Sequence, residues 1–175
     1  MNNNKEFFKS ALIAGLIMTG ILVLTDMVVY ALDFMEHTFL VGLVTLAISV
    51  TCYIYFGRNY RNKYLGGFMT YGKSYLFIIM MAVVFGLIYG VYNYIFLAFF
   101  DPERLQQLIE IQLNSMKAWG MPDDILAQQE ERIRSSTTVL STSLYAILGG
   151  IMNGGLFGLI VALFVRKKET LNDVF

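Results

Sequence analysis

The chain of 175 residues is poor in the side chains that most catalytic and metal sites use. It contains one cysteine, Cys52, and one histidine, His37. A lone cysteine excludes a disulfide within the chain, and these two residues do not make a zinc site or a serine–histidine arrangement. The sequence also lacks a glycine-rich phosphate loop. We therefore expect no catalytic residues, no metal and no cofactor, and a protein that is not an enzyme.

Charge is scarce as well. Only 15% of the residues are charged and 57% are hydrophobic, whereas a soluble domain has about 25% and about 45–50%. The 13 basic and 13 acidic residues cancel, so no net charge attracts nucleic acid. Two prolines and the lack of a repeat argue against a disordered or solenoid protein.

Four long apolar runs account for this composition, at residues 10–32, 39–56, 74–100 and 137–165. Each is near or above the roughly 18 residues that predict a transmembrane helix. A soluble bundle would show a polar face, and the stretch 78–85 shows none. The first run is too long for the core of a signal peptide, so we interpret it as an uncleaved span. We expect an all-α membrane protein with four transmembrane helices in a single integral domain, residues 1–175.

Basic and acidic residues fall on opposite sides of these runs. The segments before the first run, between the second and third, and after the fourth hold nine basic and three acidic residues. The other two connecting segments hold four basic and nine acidic residues. Because lysine and arginine concentrate in cytoplasmic loops, we expect both termini and the loop 57–73 in the cytoplasm.

That loop carries the basic residues Arg58, Arg61, Lys63 and Lys73, interleaved with tyrosines. One interpretation is that these residues only determine the topology and anchor the helix ends. The alternative is that they bind anionic lipid headgroups, at about 1 kcal/mol per basic residue.

Residues 101–136 form the only sizeable polar stretch, which we place outside the cytoplasm. Asp101-Pro102-Glu103 is typical of a helix start, and Gly120-Met121-Pro122 breaks the helix. We therefore expect an extracytoplasmic amphipathic helical hairpin between the third and fourth spans, with Trp119 as an interfacial anchor. It is either a cap or docking surface, or a connector that lies on the bilayer.

Three polar residues within the spans form a candidate intramembrane site: Asp26, Asn93 and Asn153. A carboxyl group inside a bilayer is costly and usually faces a bundle interior or water. A pairing of Asp26 with Asn93 or with a tyrosine hydroxyl would satisfy both groups. One hypothesis is that Asp26 belongs to a proton- or ion-sensitive site. The other is a structural hydrogen bond between helices, which contributes about 0.6 kcal/mol on average.

Small residues recur every four positions in two spans. The candidate packing residues are Gly86, Gly90, Gly150, Gly154 and Gly158. Small residues at this spacing let helix backbones approach closely. We expect the third and fourth spans to pack on each other through them, and the alternative is a homodimer.

Several stretches resemble a known family. They are GFMTYGKSY at 67–75, Phe100-Asp101-Pro102, the Gly120-Met121-Pro122 turn, and GGLFGLIVAL at 154–163 before Arg166-Lys167-Lys168. Together, over residues 5–168, the chain is similar to a family of small bacterial membrane proteins classified only as a domain of unknown function. The resemblance implies four spans in a bacterial cytoplasmic (inner) membrane, with a helical segment between the last two. It implies no activity and no site residues.

These observations favour a structural or accessory membrane protein that interacts with helices or lipid. The expected partners are the lipid bilayer and possible other membrane proteins or a second copy, but not nucleic acid. The competing hypothesis is a small transporter or channel subunit with a polar path around Asp26 and Asn93.

Overall fold

The computed structural model describes residues 2–34 and 37–168. Within this part of the chain the structure is helical, and no β-strand occurs. The six α-helices are α1 (Asn2–Ala31), α2 (Thr38–Tyr64), α3 (Tyr71–Ile95), α4 (Arg104–Ala118), α5 (Asp123–Ser136) and α6 (Val139–Val165). A π-helical turn, Phe96–Phe100, continues α3.

Four of the helices, α1, α2, α3 with its π-helical turn, and α6, are long and apolar enough to cross a membrane. This confirms the predicted all-α class and the four candidate spans. Two helices extend well beyond the predicted runs: α1 begins at Asn2, eight residues before the predicted start at Ser10, and α2 continues to Tyr64, eight residues past the predicted end at Phe56. The first part of the predicted basic loop is therefore helix. Basic side chains do not stop a helix, and those near its end interact favourably with the helix dipole.

The chain divides into two compact units. The first unit comprises residues 1–89 and 147–175, and the second comprises residues 90–146. The division falls inside α3 and inside α6. The first unit therefore holds α1, α2 and the longer parts of α3 and α6, and the second holds α4 and α5.

In the first unit, large side chains fill the space between the helices. The rings of Tyr60 and Phe77 stack with centroids 4.8 Å apart, and Phe7 meets both rings edge-on. Met18 and Met81 are fully buried nearby in the same core cluster. Edge-to-face and stacked arrangements of this kind are favourable aromatic geometries.

The outward faces of the four long helices are apolar. Leu24, Tyr55, Leu76 and Leu156 are all more than half exposed. Several threonine and serine hydroxyls on these helices donate to the carbonyl one turn earlier: Thr19, for example, donates to the Gly15 carbonyl at 2.7 Å. Since a bilayer offers no water to backbone or hydroxyl groups, both features fit a membrane environment.

The second unit has a small core of its own. Ile109 and Leu113 of α4 and Ile133 of α5 are buried together, with Met116 packed against them. The Asp101 carboxylate accepts a hydrogen bond from the Arg104 amide at 3.1 Å, which satisfies one of the free amides at the start of α4. Two short helices therefore follow α3, as the turn signals predict.

Candidate functional site

Two arginines near the end of α2 form hydrogen bonds to the last residues of α6. Arg61 Nη1 donates to the Val165 carbonyl at 2.6 Å, and Arg58 Nε donates to the Phe164 carbonyl at 3.3 Å. The last carbonyls of a helix lack partners within the helix and carry partial negative charge. The two guanidinium groups therefore cap α6.

A short backbone pairing joins the same two regions. The Met69 amide donates to the Lys167 carbonyl at 2.9 Å, and the Lys167 amide donates to the Met69 carbonyl at 3.0 Å. Lys167 Nζ lies 5.1 Å from the centre of the Phe68 ring. The connection between α2 and α3 is thus held against the residues that follow α6.

This pairing creates a basic groove, which we call the lysine groove. Lys73, Lys167 and Lys168 line it together with the Thr70 hydroxyl, and Phe68 contributes to its apolar wall. Its volume is about 520 Å³. No acidic residue lines it among the residues that the structure describes.

A second cavity lies between α1 and α2, with Phe77 of α3 among its lining residues. We call it the α1–α2 groove, and its volume is about 210 Å³. Ser10, Asn59 and Lys63 supply polar groups, whereas Ile13 and other apolar residues line the rest. Lys63 Nζ lies 5.3 Å from the centre of the Tyr64 ring, which also lines the groove.

The structure thus separates the four residues of the predicted basic cluster. Arg58 and Arg61 bond to the end of α6, Lys63 lines the α1–α2 groove, and Lys73 lines the lysine groove. The sequence could not show this, because the partners of Arg58 and Arg61 are carbonyl groups about a hundred residues away. The backbone pairing at Met69 brings Lys167 and Lys168 beside Lys73.

Four of the five predicted packing glycines, all except Gly90 of the second unit, lie where α3 and α6 are in contact in the first unit. A Cβ atom on Gly150 would lie 3.0 Å from the Cα atom of Gly86. A Cβ atom on Gly154 would overlap the Cβ atom of Ala82, and one on Gly158 would lie 3.0 Å from Cγ2 of Ile78. Gly90 is buried. A larger side chain at Gly154 has no space unless the helices move.

The candidate intramembrane residues have different surroundings. Asp26 is partly exposed on α1 in the first unit. In the second unit, Asn93 Oδ1 lies 3.5 Å from the Ser143 hydroxyl, a long contact. Asn153 Oδ1 is buried and has no hydrogen-bond partner within the described residues. A pairing of Asp26 with Asn93 stays a prediction.

Two buried tyrosines were missed from the sequence. Tyr53 and Tyr60 are 0% and 2% exposed, and neither hydroxyl has a hydrogen-bond partner among the residues that the structure describes. Both lie on α2, seven residues apart, so they face the same side. Tyrosine in an apolar run fits an interfacial anchor equally well, so no sequence signal marks these two as buried. A buried hydroxyl without a partner is energetically costly.

Potential metal ligands do not cluster in the described part of the chain. No group of three or more histidine, cysteine, aspartate or glutamate side chains is placed to hold a metal ion there. Glu36, Glu169 and Asp173, which the charge analysis included, lie outside the described residues.

The four long helices, with their apolar outer faces, define a helical membrane protein. The chain belongs to a protein family of unknown function (DUF4199), whose match covers residues 11–167. This confirms the resemblance seen in the sequence. No curated protein matches the chain, and no solved structure matches it.

Proposed function

We propose that this protein is an accessory component of a bacterial cytoplasmic membrane that interacts with lipid and with other helices and has no catalytic role. Both termini and the connection between α2 and α3 lie in the cytoplasm, and α4 and α5 lie on the opposite side. The observation that carries this proposal is the close packing of the first unit. Gly86, Gly150 and Gly154 bring α3 and α6 into backbone contact, and Met18, Ile78 and Met81 are fully buried around that contact.

Close packing of the helices in the first unit favours a structural role over a transport pathway. A transporter requires a wet or convertible path lined by polar groups near the middle of the bilayer. In the first unit the helices meet there through glycine and alanine, which leave no room for another group. Side chains available for binding in the described part of the first unit lie on the outer faces and in surface grooves such as the lysine groove and the α1–α2 groove.

The orientation is tested by cysteine accessibility in intact cells, in a Cys52→Ser background. Asn114→Cys on α4 should react with a membrane-impermeant maleimide without breaching the membrane, because we place α4 outside. Asn62→Cys, at the end of α2, should react only after the membrane is opened. The reverse pattern would overturn the orientation, and equal labelling at both sites would overturn the four-span arrangement.

The transporter hypothesis makes a separate prediction. Proteoliposomes loaded with a pH-sensitive dye would show proton or cation flux that Asp26→Asn abolishes. We expect no flux above that of protein-free vesicles from either the original protein or the variant. Flux that depends on Asp26 would replace the accessory role with transport.

A further inference from the structure

We propose that the α1–α2 groove binds one phospholipid, with its phosphodiester group at Lys63, Asn59 and the Tyr60 hydroxyl. The inference rests on the proposed placement of α1 and α2 in a bilayer, and it names a partner for that surface.

The groove changes from apolar to polar along both of its walls. On α1 the lining residues run from Ile17 through Ile13 to Ser10, and on α2 they run from Phe56 to Asn59 and Lys63. The two helices are consecutive and antiparallel, so both polar ends lie at the same end of the groove. A phospholipid has the same order of groups, with acyl chains at one end and a phosphate at the other.

The polar end carries hydrogen-bond donors and a positive charge. Lys63 contributes an ammonium group, Asn59 an amide and Ser10 a hydroxyl. The adjacent first turns of α1 carry Lys5, Glu6 and Lys9, and the Glu6 carboxylate acts electrostatically on the Tyr60 hydroxyl. Lys63 is the charged residue that lines the groove itself, and with Lys5 and Lys9 it outweighs Glu6. The net positive charge at this end complements a phosphodiester, which has one negative charge and accepts hydrogen bonds.

Tyr60 supplies an independent indication of a ligand. This residue lines the groove, is 2% exposed and has a hydroxyl without a partner among the described residues. Its ring is held by Phe7, Phe77 and Tyr64, so the phenol cannot easily turn elsewhere. Buried polar groups are nearly always hydrogen-bonded, and a missing partner calls for an unseen one. A phosphodiester oxygen or ester carbonyl at the polar end would accept this hydrogen bond.

The experiment compares two tyrosine variants of the full-length protein. The protein is purified in a phosphate-free maltoside detergent and stripped of lipid, and phosphatidylglycerol is titrated back. Binding is followed by native mass spectrometry and stability by the midpoint temperature of thermal unfolding. Tyr60→Phe removes the hydroxyl in the groove. Tyr53→Phe removes a second buried hydroxyl that has no partner among the described residues and does not line the groove.

We expect the tightest-bound lipid to dissociate about tenfold more readily from Tyr60→Phe and from Lys63→Gln, since each loses a charge-assisted hydrogen bond. Tyr53→Phe should bind like the original protein. Without lipid, Tyr60→Phe should be as stable as the original or more stable, because it loses an unsatisfied group. Equal lipid affinity in Tyr60→Phe and Tyr53→Phe would overturn the proposal, as would a lower lipid-free midpoint temperature for Tyr60→Phe. Lys63 is exposed, so Lys63→Gln tests the site even if Tyr60→Phe does not fold.

Two further probes identify what the groove recognises. Inorganic phosphate lacks acyl chains, and diacylglycerol lacks the phosphate. We expect neither to raise the midpoint temperature as phosphatidylglycerol does. An equal effect of inorganic phosphate would show a plain anion site, and an equal effect of diacylglycerol would show an apolar groove without headgroup recognition; either result overturns the proposal. If the original protein shows the expected cysteine labelling but binds no phosphatidylglycerol, this site is refuted and the proposed function still stands.

Discussion

The two compact units of the chain are held together by different kinds of contact. In the first unit, glycines let the backbones of α3 and α6 come into contact. Large side chains such as Tyr53 and Met81 are fully buried in the same unit. In the second unit, α4 and α5 share a core of three buried apolar residues, and most other side chains on these two helices are exposed.

This difference reflects the two solvents that we assign to the four long helices and to α4 and α5. Lipid tails are as apolar as leucine, so helices in a bilayer gain little from burying apolar surface and depend on close van der Waals packing. In water, an apolar stripe is buried and a charged face stays out. Ile109, Leu113 and Ile133 form such a stripe, while Trp119 at the end of α4 is 83% exposed. The contrast supports placing α4 and α5 outside the hydrocarbon region.

The largest expected effect comes from filling the backbone contact of the first unit. Gly154→Leu should lower the free energy of unfolding by about 3 kcal/mol, because even its Cβ atom would overlap Ala82. The matched control is Gly155→Ala, on the next residue, where a Cβ atom meets nothing within 4 Å. The midpoint temperature in detergent should fall for the first variant and not for the second. Equal losses would show that any change in this segment is harmful.

Removing a cap of α6 should have the next largest effect. Arg61→Gln should cost about 2 kcal/mol, since a charge-assisted hydrogen bond of 2.6 Å to the Val165 carbonyl is lost. Arg58→Gln should cost less, because its contact with Phe164 is 3.3 Å long. Lys73→Gln removes the same charge from the first turn of α3 and should leave the midpoint temperature unchanged. A loss for Lys73→Gln as large as for Arg61→Gln would mean that net charge, not capping, matters.

A change in the core of the second unit should have a smaller and local effect. Ile133→Val removes one buried methylene, at a cost of about 1 kcal/mol. Limited proteolysis within residues 104–136 should become faster while the overall midpoint temperature stays nearly constant. Ile125→Val, at an exposed position of the same helix, should leave the cleavage rate unchanged. A matching fall in the overall midpoint temperature would show that the two units unfold together.

The smallest effect is expected at the surface of α5. Arg134 Nε lies 2.9 Å from Glu130 Oε1, one turn earlier, and both side chains are nearly half exposed. An exposed pair of this type contributes about 0.3–0.5 kcal/mol. Arg134→Gln should therefore change proteolysis within α5 less than Ile133→Val does. The effect of Arg134→Gln relative to the original protein should shrink further in high salt, which screens the ion pair.

The sequence predicted the four spans because a long run without a polar face has few other structures available. It also predicted the breaks around α4 and α5, where Asp101 and Gly120 act through local geometry. It did not predict the end of α2, because Arg58 and Arg61 complete a helix whose last residues lie beyond the apolar run. Their role depends on carbonyl groups at the other end of the chain.

The candidate site was less accessible to sequence reasoning for a similar reason. Polar residues in apolar runs drew attention to Asp26, Asn93 and Asn153. The hydroxyls of Tyr53 and Tyr60 were missed, because burial and the lack of a partner are properties of packing between helices. The α1–α2 groove requires three helices to be placed before it can be recognised.

The central claim is that α3 and α6 of one chain touch in the membrane and close the centre of the first unit. Disulfide formation in native membranes tests it directly, in a Cys52→Ser background. A Cβ atom at Gly158 lies 3.0 Å from Cγ2 of Ile78, so the pair Ile78→Cys with Gly158→Cys is within disulfide reach. The control pair is Leu87→Cys with Gly149→Cys, where Leu87 is half exposed and a Cβ atom at Gly149 meets nothing within 4 Å. We predict a disulfide within one chain for the first pair and none for the control; a disulfide that forms only between chains would contradict the account.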